Sequence, residues 1–84
     1  MKIVFTEDAK ADYEFWIRND PKRTKRIDAL CEDMRQNPFK GIGKPEPLRF
    51  NFEGKWSRRI DKEHRIIYFV EKGIITVIAC RYHY

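Results

Sequence analysis

The chain has only two cysteines and two histidines in its 84 residues, four glycines, four prolines, and no long apolar run. Each scarcity excludes something. Cys31 and Cys80 are far apart and sit within apolar patterns, so they read as reduced core thiols, not as a disulfide frame or a zinc site. His64 and His83 add no metal-ligand spacing, and neither a metal nor another cofactor is expected. The longest largely apolar stretch, Ile74 to Cys80, falls far short of the ~20 residues that a spanning helix needs. Met1-Lys2-Ile3-Val4-Phe5 runs straight into a helix start without a signal peptide's apolar core, so a cytoplasmic protein with no membrane contact is expected. Gly41-Ile42-Gly43-Lys44 lacks the spacing and the Ser/Thr of a phosphate-binding loop. A chain of this length buries only about 60–65% of its unfolded surface. That excludes a dinucleotide-binding α/β domain, a TIM barrel and any large enclosed pocket. One domain over residues 1–84 remains, working on a large substrate across an open surface or binding a partner without chemistry.

Charge is what the chain has in excess. Eighteen Lys and Arg stand against thirteen Asp and Glu, a net +5. Six of the acids (Glu7, Asp8, Asp12, Glu14, Asp20 and Asp28) precede residue 29. From Lys44 onward nine cations face five acids, a basic half suited to a phosphate-bearing partner. A solvated face that only keeps the protein soluble is the alternative.

Hydropathy patterning gives the elements. Ile3-Val4-Phe5 is a short strand, and Thr6 caps a helix whose first turn carries Glu7 and Asp8. Ala9, Tyr13, Trp16 and Ile17 form one apolar stripe. Asp20-Pro21 ends that helix and opens a second, with Asp20 as N-cap and Ile27, Leu30, Cys31 and Met34 as its stripe. Lys22, Arg23, Lys25 and Arg26 at its start oppose the helix dipole, which predicts a use for them outside helix stability. Pro38 to Pro47 is a loop of enforced geometry holding three of the four prolines. Strands are expected at 48–52, 56–60, 64–70 and 74–82, with turns at Glu53-Gly54 and Lys72-Gly73. The whole reads as an α+β fold in which an N-terminal strand and a helical hairpin pack on one face of a mostly antiparallel sheet. Its other face stays uncovered. Period-2 alternation places Arg65, Ile67 and Phe69 together on one face, and Ala79, Arg81 and His83 together on one face of the last strand.

Three features could carry chemistry. Glu46 lies between Pro45 and Pro47, which stiffen the chain and offer no amide hydrogen, so the carboxylate stands on a rigid spoke suited to a general base. A turn acid paired with Lys44 is the alternative, and Arg49 is near in sequence. His83, two aromatics beside it, can act as general acid or base near neutral pH, while Tyr82 and Tyr84 offer stacking surfaces. Arg58 and Arg59 are adjacent on a strand and point to opposite faces, so only one can serve a given site; with Arg65 they offer guanidinium groups suited to a phosphate, surface salt bridges with Asp61 and Glu63 being the alternative. A rigid carboxylate, a histidine, arginines and aromatics are the parts for cleaving RNA through its own 2′-hydroxyl.

At Asn37-Pro38-Phe39, Gly43-Lys44-Pro45-Glu46-Pro47-Leu48, Trp56-Ser57-Arg58-Arg59-Ile60, Glu63-His64-Arg65 with Tyr68, and Ala79-Cys80-Arg81-Tyr82-His83-Tyr84, the sequence resembles the Txe/YoeB toxins of bacterial type II toxin–antitoxin systems, within the RelE/ParE superfamily. The likeness runs end to end. It implies a RelE-like fold and a ribosome-dependent mRNA interferase that cuts A-site codons and stops translation. It further implies a homodimer and a YefM-type antitoxin, with operator DNA bound only through the toxin–antitoxin complex. Carried over by position, Glu46 is the base, His83 the acid, Arg65 the phosphate ligand, and Tyr84 orients the substrate. Lys44, Arg49 and Arg59 are RNA contacts. In a regular strand His83 and Tyr84 face opposite sides, so both serve one site only if the chain leaves strand geometry there. A non-catalytic basic module, or a topoisomerase-poisoning toxin of the ParE branch, would need neither Glu46 nor His83.

Overall fold

The computed structural model describes residues 1–81, Asn51 by its backbone alone. Strand β1 (Lys2–Phe5) leads into helices α1 (Glu7–Asn19) and α2 (Pro21–Gln36). After a loop come β2 (Glu46–Pro47), a 3-10 turn at Phe50–Phe52, β3 (Trp56–Arg59), β4 (Arg65–Glu71) and β5 (Ile74–Ala79). The strands form one sheet in the order β1-β5-β4-β3-β2, with β1 parallel to β5 and all other neighbours antiparallel.

Both helices lie on one face, as the apolar stripes require. Ala9 and Trp16 of α1 and Ile27, Leu30 and Met34 of α2 pack on Ile66, Tyr68, Ile75 and Val77 of the two central strands. Each such aliphatic side chain contributes about 1.5–3 kcal/mol when fully buried. Thr6 caps α1 as expected, its Oγ1 accepting from the Ala9 N–H at 3.2 Å. Across the hairpin, Tyr13 donates to Asp28 at 2.7 Å; burial and that carboxylate push the Tyr13 phenol up to about 12. Lys72 and Gly73 both take positive φ (52° and 76°) between the paired Glu71 and Ile74, the two-residue turn that suits the twist of a hairpin.

Three local expectations are corrected. Ile17 is half exposed, because the stripe of α1 ends against the core at Trp16. Asp20 is the N-cap of α2 and Pro21 opens it, as expected, but the Asp20 side chain makes no capping bond; Arg23 takes its carboxylate, at 3.0 Å, and also reaches Asp61. Arg23 thereby finds the use outside helix stability that its position suggested. Residues 48–52 are not a strand: pairing stops at Pro47, and the chain closes a compact turn in which the Leu48 N–H donates to the Lys55 carbonyl at 2.8 Å. The last strand stops at Ala79, three residues earlier than expected. Ile67 pairs with Ala79 but Tyr68 with Val77, so Ile78 is an extra residue in β5 and the alternation slips by one.

Candidate functional site

Residues that are partners across a sheet share a face, and the register therefore decides what lies opposite the helices. Glu46 pairs with Ser57, Ser57 with Ile67, and Ile67 with Ala79, a row across four strands. Arg59 pairs with Arg65 on the same face, while Arg58 pairs with Ile66 on the helix face. Phe69 continues the uncovered face, with the Lys55 ammonium 5.9 Å from its ring.

Glu46 and Arg65 thus converge although nineteen positions separate them. Arg65 Nη1 lies 3.9 Å from Glu46 Oε1 and donates to Ser57 Oγ at 3.2 Å. Ser57 is fully buried, whereas the Glu46 side chain is half exposed. Arg59, exposed, stands directly across from Arg65. Like charges in that position repel, so the face presents two guanidinium groups to any anion that bridges them, with a carboxylate beside them. The ion-pair partner of Glu46 among the described residues is Arg65, not Lys44.

Glu46 is held in place by its loop, and the loop is held by Arg58. This arginine is entirely buried and donates to five oxygens: Asp33 Oδ2 (2.6 Å), the carbonyls of Asn37 (2.7 Å), Lys40 (3.0 Å) and Ile42 (3.1 Å), and Tyr68 Oη (3.2 Å). Tyr68 passes its own proton to the Pro38 carbonyl at 2.6 Å, and the Ile42 N–H donates to Asp33 at 3.0 Å. The Arg58 guanidinium and the Ile42 amide hold the Asp33 carboxyl below its ordinary value. Gly41 and Gly43 (φ 131° and 80°) let the loop fold onto this knot; a Cβ on Gly41 would fall on the Asp33 carboxylate. The Arg59 N–H then donates to the Gly43 carbonyl at 2.6 Å and fastens the loop to β3. The chain reaches β2 through Lys44 and Pro45.

Lys44 is exposed at φ 52°, two residues before Glu46, and Arg49 is exposed just ahead of the 3-10 turn. Both stand on the rim of the face at its β2 edge. His83 and Tyr84, with Tyr82, lie outside the described residues. What leads to them is fixed: the Cys80 N–H donates to Asp12 at 3.0 Å, its carbonyl accepts from Trp16 Nε1 at 2.8 Å, and its thiol contacts the Ala9 carbonyl at 3.6 Å. Burial pushes the Cys80 thiol up to about 12 and that of Cys31 to about 11. The slip at Ile78 sends Cys80 into the core and Arg81 onto the Phe15 ring of α1, 3.5 Å from its centroid. Arg81 therefore does not share a face with Ala79, a correction to the alternation reading. His64 is buried edge-on against Trp16, with ring centroids 4.7 Å apart. No group of three or more His, Cys, Asp or Glu among the described residues is arranged to hold a metal ion.

Two residues escaped assignment from sequence. Ser57 carried no signal beyond its neighbours. For Arg58 the signal was present, since adjacent arginines must face opposite ways, but which one turns inward depends on the register.

Comparison with known proteins fits this geometry. Residues 5–84 match the model of a family described as YoeB-like toxin of bacterial type II toxin–antitoxin system. The chain is 46% identical to toxin YoeB of Escherichia coli K12 over the full length of both. A solved YoeB/ParE toxin from Agrobacterium tumefaciens superposes with a TM-score of 0.94 at 45% identity, covering both chains completely. YoeB from Staphylococcus aureus superposes at 0.92 as a dimer (41% identity) and at 0.90 in its complex with YefM (40%), each over all of this chain and 98% of the other.

Proposed function

This chain belongs to the YoeB-like toxins of bacterial type II toxin–antitoxin systems, and from that premise and the geometry of the uncovered face we propose that it is a ribosome-dependent endoribonuclease. Glu46 takes the proton of a ribose 2′-hydroxyl, and the 2′-oxygen attacks the adjacent phosphorus. The bond from phosphorus to the 5′-oxygen breaks, and His83 protonates that oxygen as it leaves. A 2′,3′-cyclic phosphate and a 5′-hydroxyl result. Arg65 holds the phosphate and the charge that grows on it, Tyr84 orients the nucleotide, and Arg59, Lys44 and Arg49 carry the flanking phosphates. DNA, lacking the internal nucleophile, is not a substrate.

One observation supports this reading above the others: a carboxylate and two arginines, from three strands, meet on the sheet face that the helices leave bare. A purely binding surface has no use for a carboxylate among its cations. Among the described residues the open site has no clamp of its own, so the ribosome would hold the mRNA in line for attack. Relatives solved as a dimer and in complex with YefM support a homodimer and an antitoxin partner. A YefM-type antitoxin, acidic where this face is basic, covers the site; the toxin forms a homodimer; and the complex with antitoxin binds operator DNA. Acting on translating ribosomes, it would work in the cytoplasm.

Primer extension on one mRNA in a purified translation system tests the proposal, with wild type beside Glu46→Ala and His83→Gln. Cuts that need ribosomes and disappear in both variants, each still folded by circular dichroism, are expected. Robust cutting of free RNA would remove the ribosome from the mechanism. Cuts surviving in both variants would overturn the two assignments, and no cuts at all would leave a binding module.

A further inference from the structure

We propose that Ser57 is a positioning residue that keeps Arg65 off Glu46, so that the carboxylate stays available as a base while the guanidinium stays available to phosphate. This rests on the endoribonuclease reading for its functional consequence, though not for its geometry. The same nitrogen, Nη1 of Arg65, is 3.2 Å from Ser57 Oγ and 3.9 Å from Glu46 Oε1. A charge-assisted hydrogen bond between guanidinium and carboxylate closes to about 2.7–2.9 Å, so the pair stands roughly 1 Å short of contact. Two forces act to close that gap. Glu46 attracts Arg65, and Arg59, its direct partner across β3 and β4, repels it. The Ser57 hydroxyl opposes closure, by accepting from Nη1.

Its placement makes the hold stiff. Ser57 is fully buried, lies between Glu46 and Ile67 in the row across the sheet, and sits on a strand whose next residue is the buried Arg58. A hydroxyl that accepts from Arg65 still has a proton to donate, so holding the guanidinium does not exhaust it. A fully closed Arg65–Glu46 pair would cost the reaction twice. The carboxylate would be a weaker base, and the guanidinium would have to be pulled away before it could bind phosphate.

The test compares Ser57→Ala, Ser57→Cys and Ser57→Thr with wild type. Cysteine keeps the shape with a poor hydrogen-bonding group, and threonine keeps the hydroxyl. The guanidinium signals of Arg65 in nitrogen-15 NMR of the free protein report its pairing whether or not the protein cuts RNA. In Ser57→Ala and Ser57→Cys, slowed guanidinium rotation is expected, and it disappears when Glu46→Gln is added; Ser57→Thr resembles wild type. On ribosomes, the single-turnover rate of Ser57→Ala falls about tenfold, the scale of one charge-assisted hydrogen bond. The acid limb of its pH–rate profile moves to lower pH, since a carboxylate in contact with a guanidinium gives up its proton more readily. Unchanged Arg65 signals in Ser57→Ala, or changes that persist in the Glu46→Gln background, overturn the proposal. So does a rate loss with no movement of the acid limb. If wild type cuts nothing, the endoribonuclease reading fails and the NMR comparison still decides the role of Ser57.

Discussion

Arg58 and Arg59 are adjacent, identical in chemistry, and opposite in consequence. Arg58 is completely buried with five acceptors around it, and Arg59 is exposed on the basic face. Removing the buried Arg58 leaves five oxygens without their donor, and each buried acceptor so orphaned costs about 1–3 kcal/mol. Arg58→Met is therefore expected to lower the melting temperature by more than ~10 °C in a domain of this size, read by thermal circular dichroism. Arg59→Ala should leave stability within ~0.5 kcal/mol of wild type and reduce cleavage instead. Asp33 adds a pH dependence to the same knot. Its carboxyl is held below the ordinary 3.8 by Arg58 and the Ile42 amide, so its contribution is complete above that value and is lost as pH falls through the lower, folded-state one. The urea midpoints of wild type and Asp33→Asn should accordingly differ most near neutrality and converge in acid. The pair of arginines also shows what sequence alone can and cannot tell. Alternation made it clear that one of them turns inward. Which one could not be seen, because the five acceptors come from α2, β4 and a loop that local patterning does not bring together.

Elements were legible where their signal was local. The stripes of α1 and α2, the Thr6 cap and the Lys72-Gly73 turn each depend on residues within a few positions of one another, and all formed but for Ile17 at the end of the α1 stripe. The failures were matters of pairing. Leu48 to Phe52 has strand-like composition but ends up as a turn, since β2 has no partner beyond Pro47 and the Leu48–Lys55 hydrogen bond closes the chain early. That closure places Phe50 at φ 61° with its side chain 89% exposed. A bulky residue in the left-handed region is strained by about 1–2 kcal/mol, and an exposed ring returns little through packing. Phe50→Gly is expected to raise stability by about 0.5–1 kcal/mol, the relief of strain less the extra freedom of glycine in the unfolded chain. A fall in the urea midpoint would mean that the ring makes contacts worth more than the strain. Glu46 illustrates the other side: its rigid setting between prolines was readable, yet its true neighbour Arg65 needed the order of β2, β3 and β4.

On the scale of the whole molecule, the site has two supports that the core joins. One is the Arg58 knot under the loop that bears Glu46. The other is the fastening of Cys80 to α1 through Asp12, Trp16 and Ala9, three residues before His83. The extra residue at Ile78 makes this second support possible, because without it Cys80 would face away from the helices. The proposed mechanism needs an acid and a base at a fixed separation, and both supports run through the helical hairpin. Trp16→Phe removes the indole donor to the Cys80 carbonyl while retaining an aromatic ring against His64 and Arg23. One lost buried hydrogen bond costs about 1–3 kcal/mol, which the fold should survive. If the fastening serves the C-terminal acid, the single-turnover rate on ribosomes falls by more than the melting temperature accounts for, and Asp12→Ala, which removes the acceptor of the Cys80 N–H, reproduces the loss. Cleavage at the wild-type rate in both variants, measured well below their melting temperatures, would show that His83 takes its position from somewhere other than the hairpin.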